Sequence, residues 1–302
     1  LKWCARNLSI LIITTGSESF VGKELIKKLK MENIEFVGID LVDNPTANYE
    51  YKKIDIRDSS ISELITENTD TIIHLASLSS DPLCRGKSYE CFDVNVMGTL
   101  NLMNAAKEKS VKQFIFASSE WVYDQFPDDQ ERDETTMINI SNHKSEYALS
   151  KLVSESNLRQ EYDQNFCDVT ILRFGIIYGP RKNNWSAVES IFSQVKKHDV
   201  VTVNSKRNGR RFVHVNDICD GIIKSIGLKG FNIINLTGDL VIKIGDLISE
   251  SEKILSKKIL VIEKNPNEVN IRNPSNKKAK EVINWSPKLT LNQGLKTVLD
   301  YV

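Results

Sequence analysis

Tyr147 and Lys151 stand at i and i+4 in the stretch SEYALSK, residues 145–151. On a helix such a pair projects from one face, which sets a phenol beside an ammonium. That combination suits removal of a hydroxyl proton from an alcohol while a hydride leaves its carbon. A phenol with a pKa of about 10 is mostly protonated in neutral water, and lowering it by about three units takes about 4 kcal/mol. An ammonium ~5 Å away supplies roughly 3 kcal/mol at an effective dielectric of about 20, and one further positive charge nearby would supply the rest. Taken alone, the pair fits a packed tyrosine and a solvated lysine equally well. Its company gives it weight: a strand-like run, 111–119, ending in Ser118 and Ser119, and a glycine-containing turn far upstream. A serine hydroxyl at a strand end can bond and orient the same alcohol oxygen.

The upstream turn is TTGSESFVG, residues 14–22, between the strand-like LSILII and the helix-like VGKELIKKLK. Gly16 can make the tight turn and Gly22 can let the helix pack closely on the strand. Ser19 stands midway between them, where a third glycine would let a phosphate approach. It keeps its backbone N–H, its hydroxyl can bond a phosphate oxygen, and the amides of Phe20 and Val21 open the helix. Two glycines at a strand–helix turn also fit plain structural punctuation. Asp40 strengthens the binding reading. It ends the run IEFVGID (34–40), where an acid hydrogen-bonds an adenosine ribose, and the following LVDNP holds no Lys or Arg for a 2′-phosphate. This favours NAD over NADP.

These residues need a scaffold, and the pattern supplies one. Strand candidates at 8–15, 34–40, 51–56, 70–76, 111–119 and 167–174 alternate with helix candidates near 20–31, 58–67, 84–108 and 143–163. Such alternation predicts βαβ units in a parallel sheet covered on both faces. The rhythm breaks after about residue 175. The expected fold is α/β: a Rossmann-type doubly wound parallel sheet with a smaller α/β C-terminal part that binds substrate. Residues 1–175, with a returning segment near 211–236, form the dinucleotide-binding domain; 176–210 and 237–302 form the second. Lys+Arg and Asp+Glu both number 40, which argues against a nucleic-acid or membrane-surface protein. The five scattered cysteines (Cys4, Cys84, Cys91, Cys167, Cys219) and four histidines (His74, His143, His198, His214) lack metal-ligand spacing, so a reduced, cytoplasmic protein without a metal is expected. No apolar run approaches the ~20 residues of a membrane span.

Further stretches follow in a fixed order: DIRD (55–58), HLAS (74–77), NVMGT (95–99), FASSEWVY (116–123), LRFGIIYGPR (172–181), RRFVHVND (210–217) and, near the end, NWSPKLTLNQGL. Together with the glycine turn and Tyr-x-x-x-Lys, they resemble the extended short-chain dehydrogenase/reductase family, and within it the NAD-dependent nucleotide-sugar epimerase/dehydratase branch. The resemblance covers nearly the whole chain. It implies Ser119, Tyr147 and Lys151 as the catalytic set. It implies adenine contacts at Asp55 and Ile56, the pyrophosphate beside Leu75, Ala76 and Ser77, and further cofactor contacts at Asn95, Ser118 and Phe174. Lys151 would also bind the cofactor ribose. The substrate would be a nucleoside-diphosphate sugar, met by Ser119, Glu120 and Arg181, its diphosphate held by Arg210 and Arg272. A homodimer paired through the helices near 84–108 and 143–163 is also implied.

The pair after Ser119 bears on the reaction. Members of that family that eliminate water carry Asp-Glu there, and the sugar-acid decarboxylases carry Glu at the second place; here the pair is Glu120-Trp121. An indole cannot take a proton, so both chemistries lose support. Oxidation at a single carbinol needs only Ser119, Tyr147, Lys151 and NAD. A C4 epimerase uses that set twice. A 4-dehydrogenase or a 4-keto-sugar reductase uses it once, and a non-catalytic NAD-binding protein would not need it. Ile176 stands where the family often has an Asn that contacts the sugar nucleotide, which leaves the substrate open. Trp185 and Phe212 could stack on a base, though aromatics there more often pack in a core. His74 and His214 are expected to be structural.

Overall fold

A computed structural model describes residues 10–123 and 129–302. Residues 8 and 9 of the expected first strand, and Cys4, lie outside them. The chain runs β1 (Leu11–Thr15), α1 (Phe20–Met31), β2 (Glu35–Asp40), β3 (Tyr51–Lys53), α2 (Ile61–Leu64), β4 (Thr69–His74), α3 (Asp81–Cys84), α4 (Ser88–Phe92), a π turn (Asp93–Met97), α5 (Gly98–Glu108), β5 (Gln113–Ser119), α6 (Glu146–Asp163) and β6 (Asp168–Phe174). It continues through β7 (Ile177–Tyr178), α7 (Ala187–Lys197), β8 (Val200–Val203), β9 (Gly209–Arg210), β10 (Val213–His214), α8 (Val215–Lys224), β11 (Phe231–Leu236), β12 (Ile242–Lys243), α9 (Ile244–Leu255), β13 (Leu260–Glu263), α10 (Lys277–Ile283) and α11 (Leu291–Val298).

Seven strands form a sheet in the order β11-β6-β5-β4-β1-β2-β3. This is the doubly wound order, with its reversal between β1 and β4, where ligands bind beyond the strands' carboxyl ends. The register sets Thr15 opposite both Ile39 and His74. The ends of β1, β2 and β4 therefore lie level, and the loops that follow them meet. Ile12, Ile13, Ile39, Ile72, Ile73, Phe114 and Phe116 are buried, as strands covered on both faces require.

Local chemistry moved several expected boundaries. The strand from Tyr51 stops at Lys53 because Asp55 turns the chain, its carboxylate accepting the Arg57 N–H at 2.9 Å. The helix expected over 58–67 shrinks to α2, since Asp58 accepts the Ser60 N–H in a competing turn. The single helix expected over 84–108 is broken: Gly86 adopts φ +71° after α3, and the π turn then widens the helix before α5. Helix α6 starts after Ser145, whose hydroxyl caps it by accepting the Ala148 N–H at 3.2 Å.

The chain divides into two compact units. The first holds residues 1–117, 145–171 and 225–232; the second holds 118–144, 172–224 and 233–302. This differs from the expected boundaries. Of the returning segment 211–236 only β11 joins the main sheet, and α8 belongs to the second unit. The second unit also takes in 118–144, so it is nearly as long as the first. Its core gathers Tyr178, Phe192, Val195, Val201, Phe212 and Leu295, with Ile176 packed against it.

Candidate active site

The glycine turn is built as the sequence implies at two positions and differently at the third. Gly16 has φ +71°, and a Cβ on it would lie 2.7 Å from the Ala76 nitrogen. A side chain on Gly22 would overlap the Gly16 carbonyl and come within 2.7 Å of the Ser17 carbonyl. Ser19 has φ −66° and ψ 169°, a conformation open to any residue. Its N–H, expected to serve a phosphate, donates instead to Gly16 O at 3.0 Å. Its hydroxyl caps α1, accepting the Gly22 N–H at 3.0 Å. The hydroxyl hydrogen remains available as a donor. The serine thus replaces a glycine and supplies a helix cap at the same place, a signal the sequence held. Phe20 and Val21 form the first two positions of α1.

Asp40 reaches this turn from β2. Its carboxylate accepts the Glu18 N–H at 2.8 Å and the Val42 N–H at 3.1 Å. Register places Lys53 of β3 opposite Asp40, a basic neighbour that the local reading missed, but its ammonium lies 3.9 Å from the Asp43 carboxylate. From β4, Leu75 donates its N–H to Thr15 O at 3.1 Å, and Ala76 follows beside Gly16. Gly16, Asp40, Leu75 and Ala76 thus come together at the turn, and Ser77 follows Ala76 in the chain.

Two expected cofactor contacts are tied into the protein. Asp55 is gripped by the Arg57 guanidinium at 2.6 and 3.0 Å, which holds its carboxyl below the usual range. Asn95, buried in the π turn, clasps Leu78: its Oδ1 accepts the Leu78 N–H at 2.8 Å, and its Nδ2 donates to Leu78 O at 3.1 Å. The same Nδ2 donates to Ser150 Oγ at 3.0 Å, and that hydroxyl donates to Tyr147 O. One amide hydrogen therefore clasps Leu78 and the other braces the first turns of α6 through Ser150. Ile56 lies against Gly98, where a Cβ would meet its side chain at 2.7 Å.

His74 is structural, as expected. Thr99 Oγ1 donates to Asn95 O at 2.6 Å, so it can only accept from His74 Nε2, 3.0 Å away. His74 Nδ1 must then accept from Thr15 Oγ1 at 2.7 Å. Burial pushes the imidazole down to about 3, which keeps it neutral in this chain of bonds.

On α6, Tyr147 and Lys151 are both buried. Lys151 Nζ donates to Ala117 O at 2.8 Å and lies 5.9 Å from the centre of the Tyr147 ring and 4.8 Å from that of Phe116. Burial lowers its pKa to about 8, which leaves it mainly cationic at neutral pH. The pair that spacing predicts on one helix face thus lies together beside β5.

The second unit carries the other expected contacts. Ser118 and Ser119 end β5 immediately after Ala117 and are buried, as is Phe174 at the end of β6. Ser119 Oγ accepts the Trp121 N–H at 3.3 Å. Arg210 and Arg272, far apart in sequence, are adjacent: the Arg272 N–H donates to Gly209 O at 3.1 Å. Arg210 is braced by Asn270, donating to its backbone and side-chain oxygens, each at 2.7 Å. The Arg272 guanidinium lies 3.9 Å from the centre of the Trp121 ring. Glu120 is buried in this cluster, where Arg272 and Arg210 act on it electrostatically. Arg181 is held elsewhere: its Nε donates to the fully buried Glu189 at 2.8 Å, and it ties the loop after β7 to α7. Phe212 packs in the core, the Trp185 N–H donates to Arg181 O at 2.9 Å, and His214 bonds Thr297 Oγ1 at 3.0 Å. Ile176 faces the core of its unit.

Among the described residues no cluster of His, Cys, Asp and Glu could hold a metal ion, and no helix is long and apolar enough to cross a membrane. A sequence profile of the NAD dependent epimerase/dehydratase family matches residues 12–236. UDP-glucuronic acid decarboxylase 3 of Arabidopsis thaliana is 27% identical over 307 residues, covering 97% of this chain and 89% of that protein. UDP-glucuronate 4-epimerase of Thermodesulfobacterium geofontis is 24% identical over 311 residues, covering 96% and 95%. A mutant UDP-glucuronic acid 4-epimerase from Bacillus cereus, solved with UDP-4-deoxy-4-fluoro-glucuronic acid and NAD, superposes with a TM-score of 0.83 at 25% identity, covering 97% and 98%. NAD fits the turn: Gly16, at φ +71°, packs so closely on Ala76 that the loops after β1 and β4 meet, and Asp40 ends β2 with a carboxylate, its neighbour Lys53 lying 3.9 Å from Asp43.

Proposed function

The chain belongs to the NAD-dependent epimerase/dehydratase family, and on that premise we propose that it is a nucleotide-sugar epimerase, oxidising and re-reducing one carbinol, C4, of a nucleoside-diphosphate sugar. The carrying observation is the buried Lys151, fixed on Ala117 O and 5.9 Å from the centre of the Tyr147 ring. Gly16, Ser19, Phe20, Val21, Asp40, Leu75, Ala76 and Ser77 would hold NAD, with Lys151 on its nicotinamide ribose. When bound, NAD supplies the hydride acceptor and donor. Tyr147 takes the C4 hydroxyl proton as phenolate and returns it as phenol, and the Lys151 charge stabilises the phenolate. Ser119 Oγ bonds and orients the same oxygen. Arg210 and Arg272 hold the diphosphate, since a guanidinium offers paired donors.

Elimination and decarboxylation receive less support, because Trp121 is an indole covered by a guanidinium and cannot accept a proton. NMR of UDP-glucose incubated with NAD-loaded protein tests the reading. The expected result is inversion at C4 with no net reduction of NAD. A ketone formed with stoichiometric NADH would instead mark a 4-dehydrogenase, and loss of CO2 from a uronate substrate would mark a decarboxylase; either outcome overturns the epimerase reading.

A further inference from the structure

Glu120 is 1% exposed, and neither carboxyl oxygen has a hydrogen-bond partner among the described residues. A buried, unsatisfied carboxyl group is costly, and a buried, unsatisfied carboxylate more so. The charged surroundings of Glu120 are Arg272 and Arg210, which act on it without a hydrogen bond. Both guanidinium groups are the ones assigned above to the diphosphate.

We propose that Glu120 is a specificity residue that meets the hydroxyl groups of an uncharged hexose and discriminates against a hexuronate. This rests on the nucleotide-sugar reading. Sugar hydroxyls donate as well as accept, so they satisfy either oxygen of Glu120 in either protonation state. A hexuronate keeps its ring hydroxyls but carries at C6, in place of a hydroxyl, a carboxylate that offers only acceptors and a second negative charge. Two arginines balance a diphosphate, and once they hold it their pull on Glu120 is offset. A hexuronate would then set two carboxyl groups together in a buried place, where they cannot both ionise. Burial already pushes Glu120 up to about 7 against the pull of Arg272 and Arg210.

Calorimetric titration with UDP, UDP-glucose and UDP-glucuronic acid tests this. The protein is NAD-saturated and carries Tyr147→Phe, so that no turnover adds heat. UDP-glucose is expected to bind at least tenfold more tightly than UDP-glucuronic acid. Adding Glu120→Gln, which supplies amide donors for a carboxylate, is expected to bring the two within threefold. Glu120→Ala is a second variant, expected to narrow the ratio by weakening the hexose. UDP binding with UDP-glucuronic acid as tight as UDP-glucose would overturn this inference alone, as would a ratio unchanged in both variants. Absence of any binding by UDP or either sugar would overturn the nucleotide-sugar reading and this inference with it.

Discussion

Replacing Tyr147 with phenylalanine lowers kcat about a thousandfold while NAD affinity stays within threefold of the parent. The phenol hydroxyl is the proton acceptor, and a positioned general base contributes about 10²–10⁴-fold. The ring itself is buried beside Lys151, and phenylalanine preserves that packing. Lys151 keeps its bond to Ala117 O, so the cofactor side of the site is undisturbed. Steady-state kinetics and fluorescence titration with NADH measure the two quantities. A rate within tenfold of the parent would remove Tyr147 from the chemistry.

Gly22→Val damages the protein at a second point, through the fold. A Cβ there meets the carbonyls of Gly16 and Ser17. Those are backbone atoms and cannot rotate away. Overpacking typically costs roughly 1–3 kcal/mol, and a clash with main chain belongs at the upper end, so Tm should fall by roughly 5 °C or more. NAD affinity should fall at least tenfold, because α1 can no longer sit against the turn. Ser19→Gly provides the contrast. The loop needs no special conformation at that position, and exchanging a serine cap for glycine costs only a few tenths of a kcal/mol. Thermal unfolding and calorimetry on both variants check the pair. Equal effects would mean that the turn works differently from what its hydrogen bonds imply.

Much of this site could be read from the chain because its logic is local. Tyr147 and Lys151 share a helix face by spacing alone. Gly16 and Gly22 flank a strand–helix turn, and Asp40 ends the next strand. What sequence could not give was long-range company. Arg272 beside Arg210, Asn95 clasping Leu78 and bracing Ser150, and Lys53 opposite Asp40 all depend on chain crossings that leave no periodic trace. The resemblance implies a cofactor contact at Asn95, whose amide hydrogens are held by Leu78 O and Ser150 Oγ. The resemblance implies a substrate contact at Arg181, which pairs with Glu189, a buried acid that no spacing argument singles out. Ser19 was legible in principle: a serine just before an apolar-periodic helix is a cap signal, obscured here by the absent glycine. The break in the helix expected over 84–108 follows from Gly86 and the π turn, local events inside a pattern that still reads as helical.

The central claim is that one carbinol is oxidised and restored with the hydrogen it lost. UDP-glucose carrying deuterium at C4, incubated in ordinary water with NAD-loaded protein, tests this most directly. The account predicts that the C4-inverted product keeps its deuterium, with none lost to solvent. Inverted product with deuterium exchanged for solvent hydrogen would contradict it, as would recovery of only the starting configuration after prolonged incubation.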